Sequence, residues 1–476
     1  MKLKLITLLI SSLTLNAFAD ARSQLILENN CKEPVTFSIN GDNAGASKTV
    51  TIKPSAYINM GDYVNDKTFS HTTSKIKIGY TGGSNTGSID YDLENGWTHN
   101  YATFKNKTGS IEAEHNSADK EYKHEWHSYT ISGKLQIPTF TVSACKQNLD
   151  ISKSLLKGMD RLLIFGDSLS DQGNLYDYSQ GAIPKSIPYN KGVFSNGNPW
   201  SVQLTNRLKI NSLPVSNYAV GGATAIFEPS WVSSGLPYNL TSELTAYKAN
   251  KKLWGNEKQL AIFFIGANDY LTMKGGMSDA SVKDAVKQVT DKIISSAETV
   301  GATKTVFIGL PDLSQTIESK ELSNETVLSK VSKLHNAALK SYAESHQENI
   351  KFIDLASMFE FVLNDTNAFN TKYQTQIDAT KLGKSCWSGG YFMPQDQNDK
   401  SQLYSTLMAK TDNQEASSIR LTDIPMSPAI EAAILAGESG RICSDPEKYV
   451  FFDHVHPTYQ MHKALYQYIS GELGII

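Results

Sequence analysis

The chain has 476 residues, 40% of them hydrophobic and 20% charged, with a formal net charge of −3. That is ordinary globular composition, long enough for more than one core, and it sets aside a disordered chain. A near-neutral balance with no basic run to track phosphates argues against nucleic acid as a partner.

The chain opens on a targeting pattern. Lys2 and Lys4 precede an apolar run from Leu5 to Leu15, and Ala17-Phe18-Ala19 follows. A basic start, a short apolar core and an A-x-A site predict a secretory signal peptide over 1–19, cut after Ala19. The run falls short of the ~20 apolar residues a spanning helix needs, so export to the periplasm or beyond is expected rather than anchoring. Export makes the cysteines readable. There are four, Cys31, Cys145, Cys386 and Cys443, and no C-x-x-C pair of the kind a zinc knuckle uses. In an oxidising compartment an even number predicts two bridges. Of the three possible pairings, the division of the chain described next favours Cys31–Cys145 and Cys386–Cys443.

Residues 20–150 read as a β-rich region. VTFSI, TVTI (49–52), KIKIGY (75–80), SIDYDL (88–93) and the run from Tyr129 to Val142 alternate apolar with polar. Turn-forming clusters such as Asn40-Gly41-Asp42 and Gly82-Gly83-Ser84-Asn85 separate them. A small all-β, sandwich-like domain is expected, with Cys31 and Cys145 near its two ends. Its expected role is that of a structural or binding appendage.

From about residue 158 the grammar becomes strand, loop, helix, and residues 151–476 form the second expected domain. Apolar runs occur at RLLIF (161–165), LPVSNYAV (213–220), LAIFFIG (260–266), TVFIGL (305–310) and KFIDL (351–355). Val282, Val286, Val289 and Ile293 line one helical face between two of them, and Leu328, Val331, Leu334 and Ala338 do the same in the next crossover. Strands alternating with helices imply a parallel sheet covered on both faces, with ligands beyond the carboxyl ends of its strands. Residues 366–446 break this pattern, and Cys386 and Cys443 bracket most of a long polar insertion, 386–443. A connection of that length inside a compact domain is usually functional or mobile.

Acyl transfer needs a nucleophile, a base, an acid that orients the base, and donors for an oxyanion. Ser168 follows the first apolar run of this region, Gly222 the second and Asn268 the third, while Asp453 and His456 sit in FFDHVHP near the C-terminus. Each has a bland reading as well. Ser168 caps a turn, the Gly221-Gly222 pair makes a tight bend, Asn268-Asp269 caps a segment, and Asp-x-x-His is a surface turn.

Order and position favour the chemical reading. FGDSLSDQGN, NYAVGGAT, GAND and DHVHP, taken in that order over roughly 158–474, resemble the blocks of the SGNH, or GDSL, family of lipases and esterases. The resemblance implies a flavodoxin-like three-layer α/β/α hydrolase fold, in agreement with the sheet read from the strands. Carried over, it makes Ser168 the nucleophile, His456 the general base, and Asp453 the acid that holds the imidazole. The backbone N–H groups of Ser168 and Gly222 and the Asn268 amide become the oxyanion hole. His454 is the competing base, but it directly follows Asp453 and lacks the following proline. Asp167, Asp171 and Asn174 are expected to hydrogen-bond the loop around Ser168. His335, His124 and His127 form no metal pattern, and this chemistry calls for neither cofactor nor metal.

Within that family the first two blocks look most similar to the bacterial secreted phospholipases, the thermolabile hemolysin and glycerophospholipid–cholesterol acyltransferase group. The resemblance implies hydrolysis of phospholipid and lysophospholipid esters at membrane surfaces, with cholesterol as an acyl acceptor. Relatives whose disulfide-closed loop is cut on activation also imply an activating protease acting between Cys386 and Cys443, where Lys400, Lys410 and Arg420 lie. The blocks build the scissile centre and not the acyl pocket, so a short-chain or carbohydrate esterase stays open. So does a non-catalytic adhesin or lipid-binding protein, though complete catalytic blocks argue against it.

Overall fold

The computed structural model describes residues 21–31, 33–42, 48–54, 57–65, 72–95, 100–115, 122–123, 128–131, 139–145, 151–178, 183–184, 188–190, 192–210, 213–226, 239–389 and 440–475. The expected signal peptide, His124, His127 and the centre of the 386–443 insertion, with Lys400, Lys410 and Arg420, lie outside them. The chain divides into two compact units, 1–147 and 148–476. No helix of the described residues is long and apolar enough to cross a membrane.

In the first unit the alternating segments form two sheets. β1 (Ala21–Asn29), β4 (Tyr57–Asn65), β8 (Ile111–His115) and β11 (Thr139–Ala144) build one, in the order β4-β1-β11-β8. The other holds β2 (Val35–Gly41), β3 (Lys48–Ile52), β5 (Thr72–Gly82), β6 (Asn85–Asn95), β7 (Asn100–Gly109), β9 (Tyr122–Lys123) and β10 (Ser128–Ile131), in the order β3-β2-β5-β6-β7-β10-β9. Alternation decides the core: along β5, Ser74, Ile76, Ile78 and Tyr80 are buried and the residues between them are not. The expected single run from Tyr129 to Val142 is instead two strands in different sheets, β10 and β11, and Pro138 between them cannot supply a ladder donor. β1 and β11 pair in parallel, with Asn29 opposite Ala144, so Cys31 and Cys145 emerge side by side and are disulfide-bonded.

In the second unit β12 (Arg161–Gly166), β13 (Val215–Asn217), β14 (Gln259–Phe264), β15 (Lys304–Ile308) and β16 (Ile350–Ile353) form one parallel sheet, ordered β13-β12-β14-β15-β16. All six residues of β14 are buried, because helices cover both faces of the sheet. Among the described residues the α-helices are α1 (Asn174–Tyr178), α2 (Trp200–Ile210), α3 (Leu240–Lys251), α4 (Ala267–Tyr270), α5 (Asp279–Val300), α6 (Ile317–Leu322), α7 (Glu325–Ser345), α8 (Leu355–Asn364), α9 (Thr366–Tyr373) and α10 (Tyr459–Glu472). α5 packs on α3 and α7, and α10 packs on α2 and α9. The result is a three-layer α/β/α fold.

Three local expectations need correction. The run 213–220 is strand only from Val215 to Asn217, yet Tyr218 and Val220 still donate to Ile164 and Gly166, since β13 is an edge with a partner on one side. The buried face of α7 runs through Leu328, Val331, His335 and Leu339, leaving Leu334 and Ala338 half-buried. A histidine took the core position, bonded through its Nδ1 to the Tyr270 hydroxyl at 3.1 Å. The pattern break placed at 366 begins with α9, which Asp365 caps and which buries Phe369 and Tyr373 one turn apart.

Candidate active site

The strand ends of the second unit gather the motif residues. β12 stops at Gly166, where an added Cβ would stand 2.6 Å from the Phe264 carbonyl of the neighbouring strand. Asp167 then folds the chain back. Its carbonyl accepts from Ser170 and Asp171 N–H, and its Oδ1 accepts from Leu169 N–H at 3.1 Å. Ser168 sits at the tip of that turn. Its Oγ lies 2.8 Å from Nε2 of His456, and Nδ1 of the same ring lies 2.7 Å from Oδ2 of Asp453. The sequence therefore brings together three side chains spread over 288 residues.

The second block lies against the first. Asp171 receives Gly173, Asn174 and Leu175 N–H on one side and Gly221 N–H, at 2.7 Å, on the other. Asn174 reaches back to the Asn217 and Ala219 carbonyls. The two glycines answer different needs. Gly222 has φ +75°, the left-handed region that glycine enters without strain. Gly221 gives clearance, because a Cβ there would come within 2.1 Å of the Phe194 ring. That ring packs on the imidazole of His456 at 5.0 Å between centroids.

The third block enters through α4. Asn268 is buried and donates from its amide to the Ala223 carbonyl at 2.9 Å, which fixes the side chain beside the Gly221-Gly222 turn. Asp269 ties the same region from the other side, accepting from Ala225 and Ile226 N–H.

The fourth block is a tight loop before α10. Phe452 N–H bonds the His456 carbonyl at 2.7 Å, and Thr458 N–H bonds the Val450 carbonyl at 2.9 Å. The disulfide-bonded Cys386 and Cys443 stand against it: Cys386 N–H bonds the Phe451 carbonyl and Trp387 N–H the Phe452 carbonyl. His454 points elsewhere, with Nδ1 3.0 Å from Glu321. His456, not His454, faces the serine.

The electrostatics separate two kinds of buried acid. Burial pushes Asp167 up to about 7, against backbone hydrogen bonding and the pull of His456. It pushes Asp171 and Asp269 up to about 6, and Glu243, which accepts from Gly166 N–H, well above the usual carboxylate range. Asp453 is wholly buried too, and burial alone would raise it. Its attraction to His456 and the bonds from His456 and Tyr189 outweigh that, holding it below the usual value. Asp453 is thus the acid kept ionised beside the imidazole.

Sequence reasoning missed Tyr189 and Phe194. Both lie in the irregular stretch before α2, which carries no motif and no period to mark them.

A family model described as GDSL-like Lipase/Acylhydrolase matches residues 162–469. The phosphatidylcholine-sterol acyltransferase of Aeromonas hydrophila is 30% identical over 321 residues, 64% of this chain and 87% of that protein. Secreted effector protein SseJ of Salmonella typhimurium is 29% identical over 48% of this chain and 54% of its own length. The thermolabile hemolysin of Vibrio parahaemolyticus is 28% identical over 42% of this chain and 47% of its own length.

Proposed function

Because the chain belongs to the GDSL-like lipase/acylhydrolase family, we propose that it is a secreted serine esterase acting on glycerophospholipids and lysophospholipids. In this reading it also passes acyl groups to a sterol such as cholesterol. The observation that carries the reaction type is the continuous Ser168–His456–Asp453 relay at the end of β12. Similarity to the Aeromonas acyltransferase over most of that protein's length supports the lipid and the acceptor.

In this reading His456 Nε2 takes the Ser168 proton as Oγ attacks the acyl carbonyl carbon. Ser168 N–H, Gly222 N–H and the Asn268 amide receive the oxygen as it becomes anionic. His456 then gives its proton to the departing lysolipid or glycerophospho-alcohol oxygen. Water, or a sterol hydroxyl, repeats the attack on the acyl-enzyme with His456 again as base, which frees Ser168. Asp453 keeps Nδ1 protonated throughout, so that Nε2 is the acceptor. Asn268→Ala is expected to lower kcat ~10²–10³-fold with KM little changed, measured on a soluble ester.

The deciding experiment compares long-chain phosphatidylcholine, lysophosphatidylcholine and an acetylated sugar, each with and without cholesterol. It is run before and after limited proteolysis between the last two cysteines. Fatty-acid release from both phospholipids, and cholesteryl ester when sterol is present, are expected, with nicking raising the rate. Turnover of the acetylated sugar alone would replace this reading with a carbohydrate esterase.

A further inference from the structure

The relay does not end at Asp453. The Tyr189 hydroxyl donates to Oδ2 of Asp453 at 2.5 Å, the same oxygen that receives Nδ1 of His456 at 2.7 Å. On the other side of the carboxylate, Oδ1 receives Val455 N–H at 2.7 Å and His456 N–H at 2.6 Å. An ionised carboxylate has about four acceptor positions, and here all four are used. Two of the four donors are backbone and belong to the loop itself. One is the imidazole. The fourth comes from a side chain 264 residues earlier, and nothing in the four motif blocks requires it.

We propose that Tyr189 is a positioning residue that sets the basicity of the Asp453–His456 pair by sharing the carboxylate oxygen that faces the imidazole. This rests on the relay assigned above but not on the identity of the ester. A phenol bonded to Oδ2 draws negative charge away from the imidazole side and contributes to the lowered pKa of Asp453. A less basic acid holds an imidazolium beside it less strongly.

The ring is held for this purpose on several sides. Its edge contacts are Trp387 at 5.6 Å, Phe452 at 5.7 Å and His456 at 6.4 Å between centroids. Tyr189 is 1% exposed, and Trp387 immediately follows disulfide-bonded Cys386. The stretch that carries Tyr189 is also fastened to the fourth block. Ser195 Oγ donates to the Pro457 carbonyl at 2.8 Å, and Asn196 accepts from Tyr459 N–H at 2.7 Å. Held in this way, the hydroxyl donates to Asp453.

Tyr189→Phe keeps the ring and removes the donor. On a soluble ester the acid limb of the kcat/KM profile is expected to move up by about half a pH unit, with KM unchanged. Site-specific 3-fluorotyrosine at 189 is isosteric within a fluorine and a stronger donor, so it should move the same limb down. Packing alone predicts no such pair of opposite shifts. The ring protons of His456, identified by the resonance lost in His456→Gln, should titrate in the same two directions without any substrate present. Titration curves and acid limbs that superpose on those of the natural protein in both variants would overturn the proposal. If instead the ring protons respond while no phospholipid is turned over, the proposed substrate fails and this inference stands. Should Tyr189→Phe not fold, the fluorotyrosine protein decides alone.

Discussion

Ser168→Ala is expected to abolish ester hydrolysis, with kcat falling ~10⁶-fold toward the residue left by binding and oxyanion donors, while the protein stays folded. The Ser168 hydroxyl bonds His456, and losing that bond costs about 1 kcal/mol of stability, a few degrees of Tm at most. The other hydroxyl of the first block supplies the control. Ser170 is fully buried; its carbonyl takes Ser201 and Asn217, and its Oγ has no hydrogen-bond partner among the described residues. Ser170→Ala should therefore keep most of the activity. Initial rates on a long-chain phosphatidylcholine, with thermal melts of the same preparations, separate the outcomes. More than about one part in a hundred of the activity surviving in Ser168→Ala would place the nucleophile elsewhere, since a missing attacking atom cannot be made good by its neighbours.

What could be read from the sequence follows from where local pattern and three-dimensional position agree. β12, β14 and β15 are buried on both faces, so each appears as an unbroken apolar run, and α5 shows its core stripe because Val282, Val286, Val289 and Ile293 all point inward. The motif residues were legible for a related reason: each of the first three blocks sits just beyond a strand, and parallel strands deliver their ends to one side. Legibility fails where a contact crosses the chain with no motif or cysteine to mark it. The Tyr189–Asp453 bond leaves no periodic trace in either partner's surroundings. The face of α7 was misplaced because His335 reads as polar while occupying a core position, where burial pushes its pKa down to about 3 so that the ring is neutral, and Tyr270 meets its Nδ1. The parallel pairing of β1 with β11 brings together segments from opposite ends of the first unit, a register that alternation alone does not contain.

Asp453→Asn is expected to cost ~10⁴ in kcat with little loss of stability, and the arrangement of donors explains why so small a change matters. The new amide's carbonyl oxygen can stay on the side of Val455 and His456 N–H, where two backbone donors require an acceptor. Its NH₂ then takes the place of Oδ2 and presents a donor to Nδ1 of His456. The ring must respond by carrying its proton on Nε2, pointing it at Ser168 Oγ instead of accepting from it. The base is still present and well placed, but in the tautomer that cannot act. The hydroxyl of Tyr189 also loses its charged acceptor, so Tyr189→Phe should have little further effect when combined with Asp453→Asn, a non-additivity that kcat on a soluble ester can measure. His454→Ala, which removes the contact with Glu321, should change kcat by a few-fold at most. Were Asp453→Asn to lose less than tenfold, the orienting charge would have to come from another buried acid.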